Sequence, residues 1–308
     1  MSDFTPAGLK TNKVPRKPIN APSQLSTILL SYLETSVKKN DAGIQQFRNK
    51  AKEMLSSIDV DVDDLHSLLL GYQSHKNFDM AAHFLSEAYA RSSVDEIVFD
   101  KKFRNIDLYD LVLPKGKTLY VNTHVKRVGR YCDGVVVLNA ECNNAAIGDG
   151  VLINYAKCDL DMVGSKGALI NYGEIDVYSG IDGSGLTVNL GKIRLFEDLK
   201  GMVFYDGVLL DFADSYLAQF PDDTDFGIID GVVVSSKNML YIDGEEAKTL
   251  KVEGGYQISN PAHISYVGSM REFFEKTRDV KTILDKIQSY GPDPALRIKD
   301  DFLAMIPK

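Results

Sequence analysis

The chain has 308 residues, 44% hydrophobic and 25% charged, the composition of a soluble globular protein with room for two domains or one elongated body. Its formal net charge of −8 argues against a broad nucleic-acid or anionic-membrane surface. No run approaches the ~18 consecutive apolar residues of a membrane span and the N-terminus lacks an apolar signal core, so the expected compartment is cytoplasmic.

Residues 1–22 carry Pro6, Pro15, Pro18 and Pro22 with Lys10, Lys13, Arg16 and Lys17, and almost no apolar periodicity. They read as a flexible, mildly basic leader that solubilises the chain or docks on an acidic partner. Residues 23–93 then read as a helical N-terminal domain. Leu25, Ile28, Leu29, Tyr32, Leu33 and Val37 fall on one face; Ile44, Phe47, Ala51, Met54, Leu55 and Ile58 form a second stripe. Asp61 or Asp63 caps a third helix with Leu65, Leu68, Leu69 and Tyr72. Asn77 or Asp79 caps a fourth with Ala81, Ala82, Leu85, Ala88 and Tyr89. His66, His75 and His83 lack the i, i+4 spacing of a helical metal pair and read as surface or boundary histidines.

Residues 94–260 carry a repeat. Asparagine, or once aspartate, recurs at Asn105, Asn122, Asn139, Asn154, Asn171, Asn189 and Asp206, in steps of 17, 17, 15, 17, 18 and 17. Glycine runs between them at Gly116, Gly134, Gly150, Gly167, Gly185 and Gly201. Two corner residues per period, joined by Val/Ile/Leu-rich runs, describe a single-stranded β-solenoid with one period per coil. Unequal coils point to a right-handed β-helix, because the strict hexads of left-handed solenoids cannot survive coils of 15 and 17 residues.

Aligned on the asparagine, Val121, Leu138, Ile153, Ile170 and Val188 form one column, and Tyr120, Val137, Leu152, Leu169 and Phe204 its neighbour. Adjacent strand residues point to opposite faces, so one column fills the core and the other is an apolar outer row. Strands apolar on both faces are sandwiched strands, so the Tyr120-to-Phe204 row is expected to lie under helices or against a second copy. After the asparagine the pattern alternates: Lys157-Cys158-Asp159-Leu160, Glu174-Ile175-Asp176-Val177, Lys192-Ile193-Arg194-Leu195. Glu141, Lys157, Glu174 and Lys192 alternate in sign on successive coils, with Asp159, Asp176 and Arg194 beside them. Cys142 and Cys158 match on neighbouring coils and, with Cys132, read as buried free thiols.

The stretch Asn171-Tyr-Gly-Glu-Ile-Asp-Val-Tyr-Ser-Gly-Ile-Asp-Gly-Ser-Gly185-Leu-Thr-Val-Asn189 resembles the glycine-spaced coils of the GXGXG domain. That domain closes the large subunit of glutamate synthase and makes up one whole polypeptide of the formylmethanofuran dehydrogenase complex. The resemblance, over about 100 residues, implies a right-handed β-helix with a structural, interdomain role and no catalytic residues of its own.

Beyond Asp206 the period loosens into an acidic, aromatic insertion at 211–226, where Asp222, Asp223 and Asp225 lack the ligand spacing of a calcium loop. Asp230-Gly231-Val232 and Asp243-Gly244 suggest further strands. Residues 261–308 read as C-terminal helices, the first a long one from Ser269 with the seam Phe273, Thr277, Val280, Leu284 and Ile287, stopped by Gly291-Pro292. Asp293-Pro294 caps the last helix.

No phosphate loop, dinucleotide fingerprint, nucleophile elbow or zincin motif is present, and no metal or cofactor is expected. Asp182-Gly183-Ser184-Gly185 lies at a coil corner and reads as a turn. His124, Lys126, Arg127 and Arg130 form a basic run that pairs with Glu141 or binds an anion, with pairing the default. The leading expectation is a non-catalytic solenoid scaffold or assembly subunit, meeting a protein partner or a second copy through Tyr120, Val137, Leu152, Leu169 and Phe204 or through Phe273, Val280, Leu284 and Ile287. The alternative is a carbohydrate- or polyanion-acting enzyme using Lys157, Asp159, Glu174, Asp176, Lys192 and Arg194, where carboxylates activate and cations stabilise an anionic intermediate. The blander reading of those six residues is a solvated face contributing about 1 kcal/mol or less.

Overall fold

The computed structural model describes residues 22–35, 41–56, 60–129, 132–163, 166–182, 185–195, 203–205, 207–215, 226–229, 232–235, 239–242, 249–250, 256–257 and 261–304. The basic leader, Val37, Ile58, Arg130, Gly183-Ser184, Gly201, Asp206, the acidic triplet Asp222, Asp223 and Asp225, and the Asp230-Gly231 and Asp243-Gly244 pairs lie outside them.

Four helices open the fold: α1 (Pro22–Leu33), α2 (Asp41–Met54), α3 (Val62–Gly71) and α4 (Ala81–Arg91). Asp61 caps α3, its side chain accepting hydrogen bonds from the Asp63 and Asp64 amides. The expected cap of α4 is different. A short 3-10 turn, Phe78–Met80, leads into it, and Asn77 instead donates from Nδ2 to the Leu33 carbonyl at 2.7 Å.

A parallel β-solenoid follows. Its first sheet holds β1 (Glu96–Phe99), β3 (Thr118–Val121), β5 (Val135–Leu138), β7 (Val151–Asn154) and β9 (Ala168–Asn171), then β11 (Leu186–Asn189), β14 (Val208–Asp211) and β16 (Val232–Ser235). The antiparallel strands β17 (Met239–Ile242) and β19 (Tyr256–Gln257) finish it. The second sheet stacks β2 (Asp107–Leu108), β4 (Val125–Val128), β6 (Cys142–Ile147), β8 (Lys157–Val163), β10 (Glu174–Asp182) and β12 (Lys192–Leu195). The chain therefore alternates sheets, one strand of each per coil. A third sheet of β13 (Val203–Tyr205), β15 (Phe226–Ile229) and β18 (Thr249–Leu250) interleaves with the last coils.

The register fixes the columns. In the first sheet Leu119, Val136, Leu152, Leu169, Thr187, Leu209 and Val233 stack inward. Val121, Leu138, Asn154, Asn171, Asn189, Asp211 and Ser235 do the same two residues on. In the second sheet Val125, Cys142, Cys158, Ile175 and Ile193 face them. The three cysteines are free and buried, and burial lifts the thiols of Cys132 and Cys142 to about 12. Coils approach so closely at their corners that a Cβ on Gly150 would overlap the Gly134 carbonyl oxygen, and one on Gly191 that of Gly173.

This register corrects the expected rows. Val121 and Leu138 point inward, whereas Ile153, Ile170 and Val188 point outward with Tyr120 and Val137. Leu152 and Leu169 belong to the core, not the outer row. Asn122 and Asn139 follow the ladder position that Asn154, Asn171 and Asn189 occupy, so the asparagine count slips by one residue between the second and third coils, and a one-residue slip exchanges the faces. At the far end the ladder continues at Asp211, while Phe204 lies on β13 in the third sheet and never joins the row.

The outer face of the first sheet is covered by α5 (Pro261–Lys276), α6 (Val280–Ser289) and α7 (Pro294–Leu303). Ile153, Ile170, Val188, Leu210 and Val234 pack with Val267, Met270, Phe274, Ile283, Ile287 and Phe302 in one apolar cluster. The expected long helix is in fact two, broken where Asp279 caps α6 by accepting from the Thr282 amide at 2.8 Å. The break rotates the seam, so Phe274 and Ile283 are buried while Phe273, Val280 and Leu284 are half-buried. Tyr155 and Tyr172, stacked 5.1 Å apart, fasten the break to the solenoid. Their hydroxyls donate to the carbonyls of Arg278 and Thr277, both at 2.9 Å, and the Arg278 guanidinium lies 3.8 Å over the Tyr172 ring.

At the first coil the helical bundle shares one core with the solenoid interior, where Phe99 stacks on Phe103 at 4.4 Å. Lys117 ties the two parts, its Nζ donating to the carbonyls of Ser92 and Val94, each at 2.8 Å, beyond the C-terminus of α4. His66 and His83 are buried, against the surface reading. His66 shares a 2.7 Å hydrogen bond with the Tyr89 hydroxyl, and burial, opposed by Asp63 and Asp100, pushes its imidazole down to about 4.

Candidate functional site

The second sheet presents its outward side chains on β8, β10 and β12. Lys157, Glu174 and Lys192 share one column, and Asp159, Asp176 and Arg194 the next. The charged/apolar alternation places these side chains outward while Cys158, Ile175 and Ile193 fill the interior.

Asp176 is the centre. It is 1% exposed, and its two oxygens accept from Arg194, Nε to Oδ1 at 2.7 Å and Nη2 to Oδ2 at 2.8 Å. Lys157 Nζ approaches Oδ2 at 3.3 Å from the rung on the other side. Arg194 also reaches Glu174 Oε1 at 2.7 Å. Burial alone works to raise the Asp176 carboxyl, but the hydrogen bonds and charges of Arg194 and Lys157 together outweigh it and hold the group below the usual carboxylate range. Asp159, half-buried on the neighbouring rung, moves the opposite way: burial and the Asp176 charge raise it, partly offset by Lys157. Two carboxyls at matched positions are thus driven apart in acidity.

Further along the sheet Arg127 grips Asp107 across one rung, with Nε 3.0 Å from both oxygens and Nη2 2.6 Å from Oδ2. Among the described residues of the basic run, Arg127 therefore pairs with Asp107. His124 lies between the side-chain oxygens of Asn105 and Asn143, at 2.8 and 3.0 Å.

Inside the solenoid runs a polar spine that the repeat disclosed only as a shape. Asn154 Nδ2 donates to Asn171 Oδ1 at 2.9 Å, Asn171 to Asn189 at 2.8 Å, and Asn189 to Asp211 at 2.7 Å, all four residues fully buried. The same asparagine oxygens accept from the corner amides of Ala156, Gly173 and Gly191. Each side chain thus satisfies its own turn and the next coil, which accounts for asparagine at a corner.

No family model, no curated protein and no solved structure matches this chain. Among the described residues no group of three or more His, Cys, Asp or Glu is arranged to hold a metal ion, and no helix is long and apolar enough to cross a membrane.

Of the expected contact residues, Tyr120 and Val137 lie on the outer face of the first sheet, and Leu152 and Leu169 in its interior. Phe273, Val280 and Ile287 belong to the cluster beneath the C-terminal helices. Sequence reasoning missed a cleft of about 210 Å³ between the start of α3 and β1, lined by Asp61, Val62, Asp63, His66, Val94, Glu96, Ile97 and Val98. The only sequence signal for it is the acidic Asp61-Val-Asp-Asp run, whose capping role hides it.

Proposed function

We propose that this chain is a non-catalytic β-solenoid scaffold, an assembly subunit whose long faces hold other proteins in fixed relation. The observation that carries the reading is the closure of the charged face on itself. Asp176, the most central of its carboxylates, is buried with both oxygens engaged by Arg194 and Lys157, which leaves it unavailable as base or nucleophile. The structural, interdomain role implied by the resemblance to GXGXG coils agrees with this. The test is affinity purification of the full chain from its native host, read by mass spectrometry, with the mass of the reconstituted complex measured in solution. A stoichiometric complex that survives Glu174→Gln and Asp176→Asn supports the scaffold; a chain that recovers no stoichiometric partner counts against it.

A second reading rests on the split acidity of Asp159 and Asp176. A raised carboxyl beside a lowered one is the arrangement of an acid and a charged partner in carbohydrate or polyanion chemistry. Turnover of an acidic polysaccharide that Asp159→Asn abolishes, with the fold intact, would replace the scaffold reading with this one.

A further inference from the structure

The solenoid ends on one side at β1, which among the described residues is paired only with β3. The Thr118 amide bonds the Asp95 carbonyl at 2.8 Å and the Asn122 amide the Phe99 carbonyl at 2.9 Å. In a parallel ladder bonding alternates along the strand, so the amides and carbonyls of Glu96 and Val98 point away from β3, to the open edge. Among the described residues nothing bonds them. The cleft lined by α3 runs along that edge.

The surroundings define what fits. Val98 is 40% exposed, and Val62, Val94 and Ile97 line the cleft beside it. Asp61, Asp63 and Glu96 bring three carboxylates to the same lining. Asp61 is already engaged as the α3 cap, but its charge remains. Burial and the neighbouring Glu96 charge together raise the Tyr120 hydroxyl. An exposed strand edge presents unpaired N–H and C=O groups, a template for another extended chain. A second copy of this chain, with net charge −8, would meet an acidic lining with an acidic surface.

We propose that the outer edge of β1 binds an extended, basic peptide segment of a partner protein by strand addition. Main-chain groups of the segment pair with Glu96 and Val98. Its side chains alternate: lysines or arginines lie on the outer face, one beside Glu96 and the next with its aliphatic stem along Val98, while the intervening apolar residues enter the cleft under Val62 and His66. The assignment rests on the scaffold reading for its purpose and on β1 alone for its geometry.

The experiment uses the full chain and fluorescein-labelled peptides of alternating lysine and valine, read by anisotropy. Saturable binding is expected, weakening as salt is raised, absent for the glutamate/valine peptide, and reduced at least about tenfold when every second peptide amide is N-methylated. Val98→Lys should weaken it similarly, with Val98→Thr as the control that keeps the strand. No binding of the lysine/valine peptide, or equal binding of its N-methylated form, overturns the proposal, and neither result depends on altering the protein. Binding that appears only after Lys10, Lys13, Arg16 and Lys17 are replaced by serine would assign the edge to the chain's own leader and overturn the partner. A chain that assembles stoichiometrically yet ignores every peptide loses this edge assignment and keeps the scaffold. A chain that takes the peptide and has a turnover abolished by Asp159→Asn keeps the edge and loses the scaffold.

Discussion

Arg194 and Asp176, on adjacent rungs of the second sheet, form a bidentate pair with two hydrogen bonds of 2.7 and 2.8 Å, the carboxylate buried and the guanidinium about a third exposed. A pair of this kind is asymmetric in its consequences. Removing the carboxylate charge leaves the Arg194 and Lys157 cations facing a neutral amide whose nitrogen cannot accept from them, so Asp176→Asn should lower unfolding stability by about 2–3 kcal/mol. Glu174, a third exposed and bonded only at the rim, should lose about 1 kcal/mol or less as Glu174→Gln. Urea titration of both variants checks the contrast; equal and small losses would return the whole face to the solvated description.

Where the sequence alternates strictly, the register was legible: Lys157-Cys158-Asp159-Leu160 and its successors could be aligned in only one way. In the first sheet it was not. Val137-Leu138 and Leu152-Ile153 carry equal apolar character because one residue of each pair enters the core and the other lies under a helix, so no period of two survives to fix the phase. The fifteen-residue step from Asn139 to Asn154 was the visible mark of the slip. Asp206-Gly207 misled for a related reason: it copies the corner of a coil, while the ladder position passes to Asp211. The open edge of β1 was hidden altogether, since which strand begins a solenoid depends on how the helices before it dock.

The asparagine spine should be the most sensitive element of the solenoid. Asn171→Ala would take one acceptor from the Asn154 amide, which keeps the Ala156 carbonyl, and one from the Gly173 N–H, which keeps the Asn154 carbonyl, and would withdraw the donor to Asn189. A loss of about 2–3 kcal/mol is expected from three buried hydrogen bonds removed together. Asn139, whose bond to Asn122 is exposed, should cost about 0.5 kcal/mol or less as Asn139→Ala. The difference between the two variants, by thermal or chemical unfolding, tests whether the repeat marks an internal hydrogen-bond chain or a surface turn.

His66 makes stability depend on pH in a stated direction. Its imidazole titrates near 4 in the fold against an ordinary value of 6.5. Above 6.5 it is neutral folded and unfolded, and no cost arises. As pH falls from 6.5 to 4 the unfolded chain takes the proton and the fold does not, so stability declines by roughly 3 kcal/mol and then levels. His83, lowered by burial and by Arg48, adds in the same sense. His66→Gln should flatten this decline while leaving part of that from His83. A variant with an unchanged pH slope would mean that His66 is protonated in the fold.

The final prediction concerns the C-terminal helices. Ile153, Ile170, Val188, Leu210 and Val234 are buried only because α5, α6 and α7 lie over them, and Phe274, fully buried at their centre, fills the contact. Phe274→Ala should cost about 3–5 kcal/mol, the loss typical of emptying an aromatic site in a packed core. The outer columns span strands β7 to β16, and without α5–α7 they become a continuous apolar surface of the kind that drives association. Ending the chain after Pro261 should therefore produce aggregation, or loss of any oligomer these helices build, visible by light scattering and dye binding. Tyr155→Phe with Tyr172→Phe is the gentler version, removing two hydrogen bonds to the α5–α6 junction while keeping the stack. It should open that junction to protease before the rest of the chain, with the solenoid's circular dichroism unchanged. A shortened chain that stays soluble at unchanged mass per chain would show that the strands need no cover, and the sandwiched-sheet account of the outer columns would fall with it.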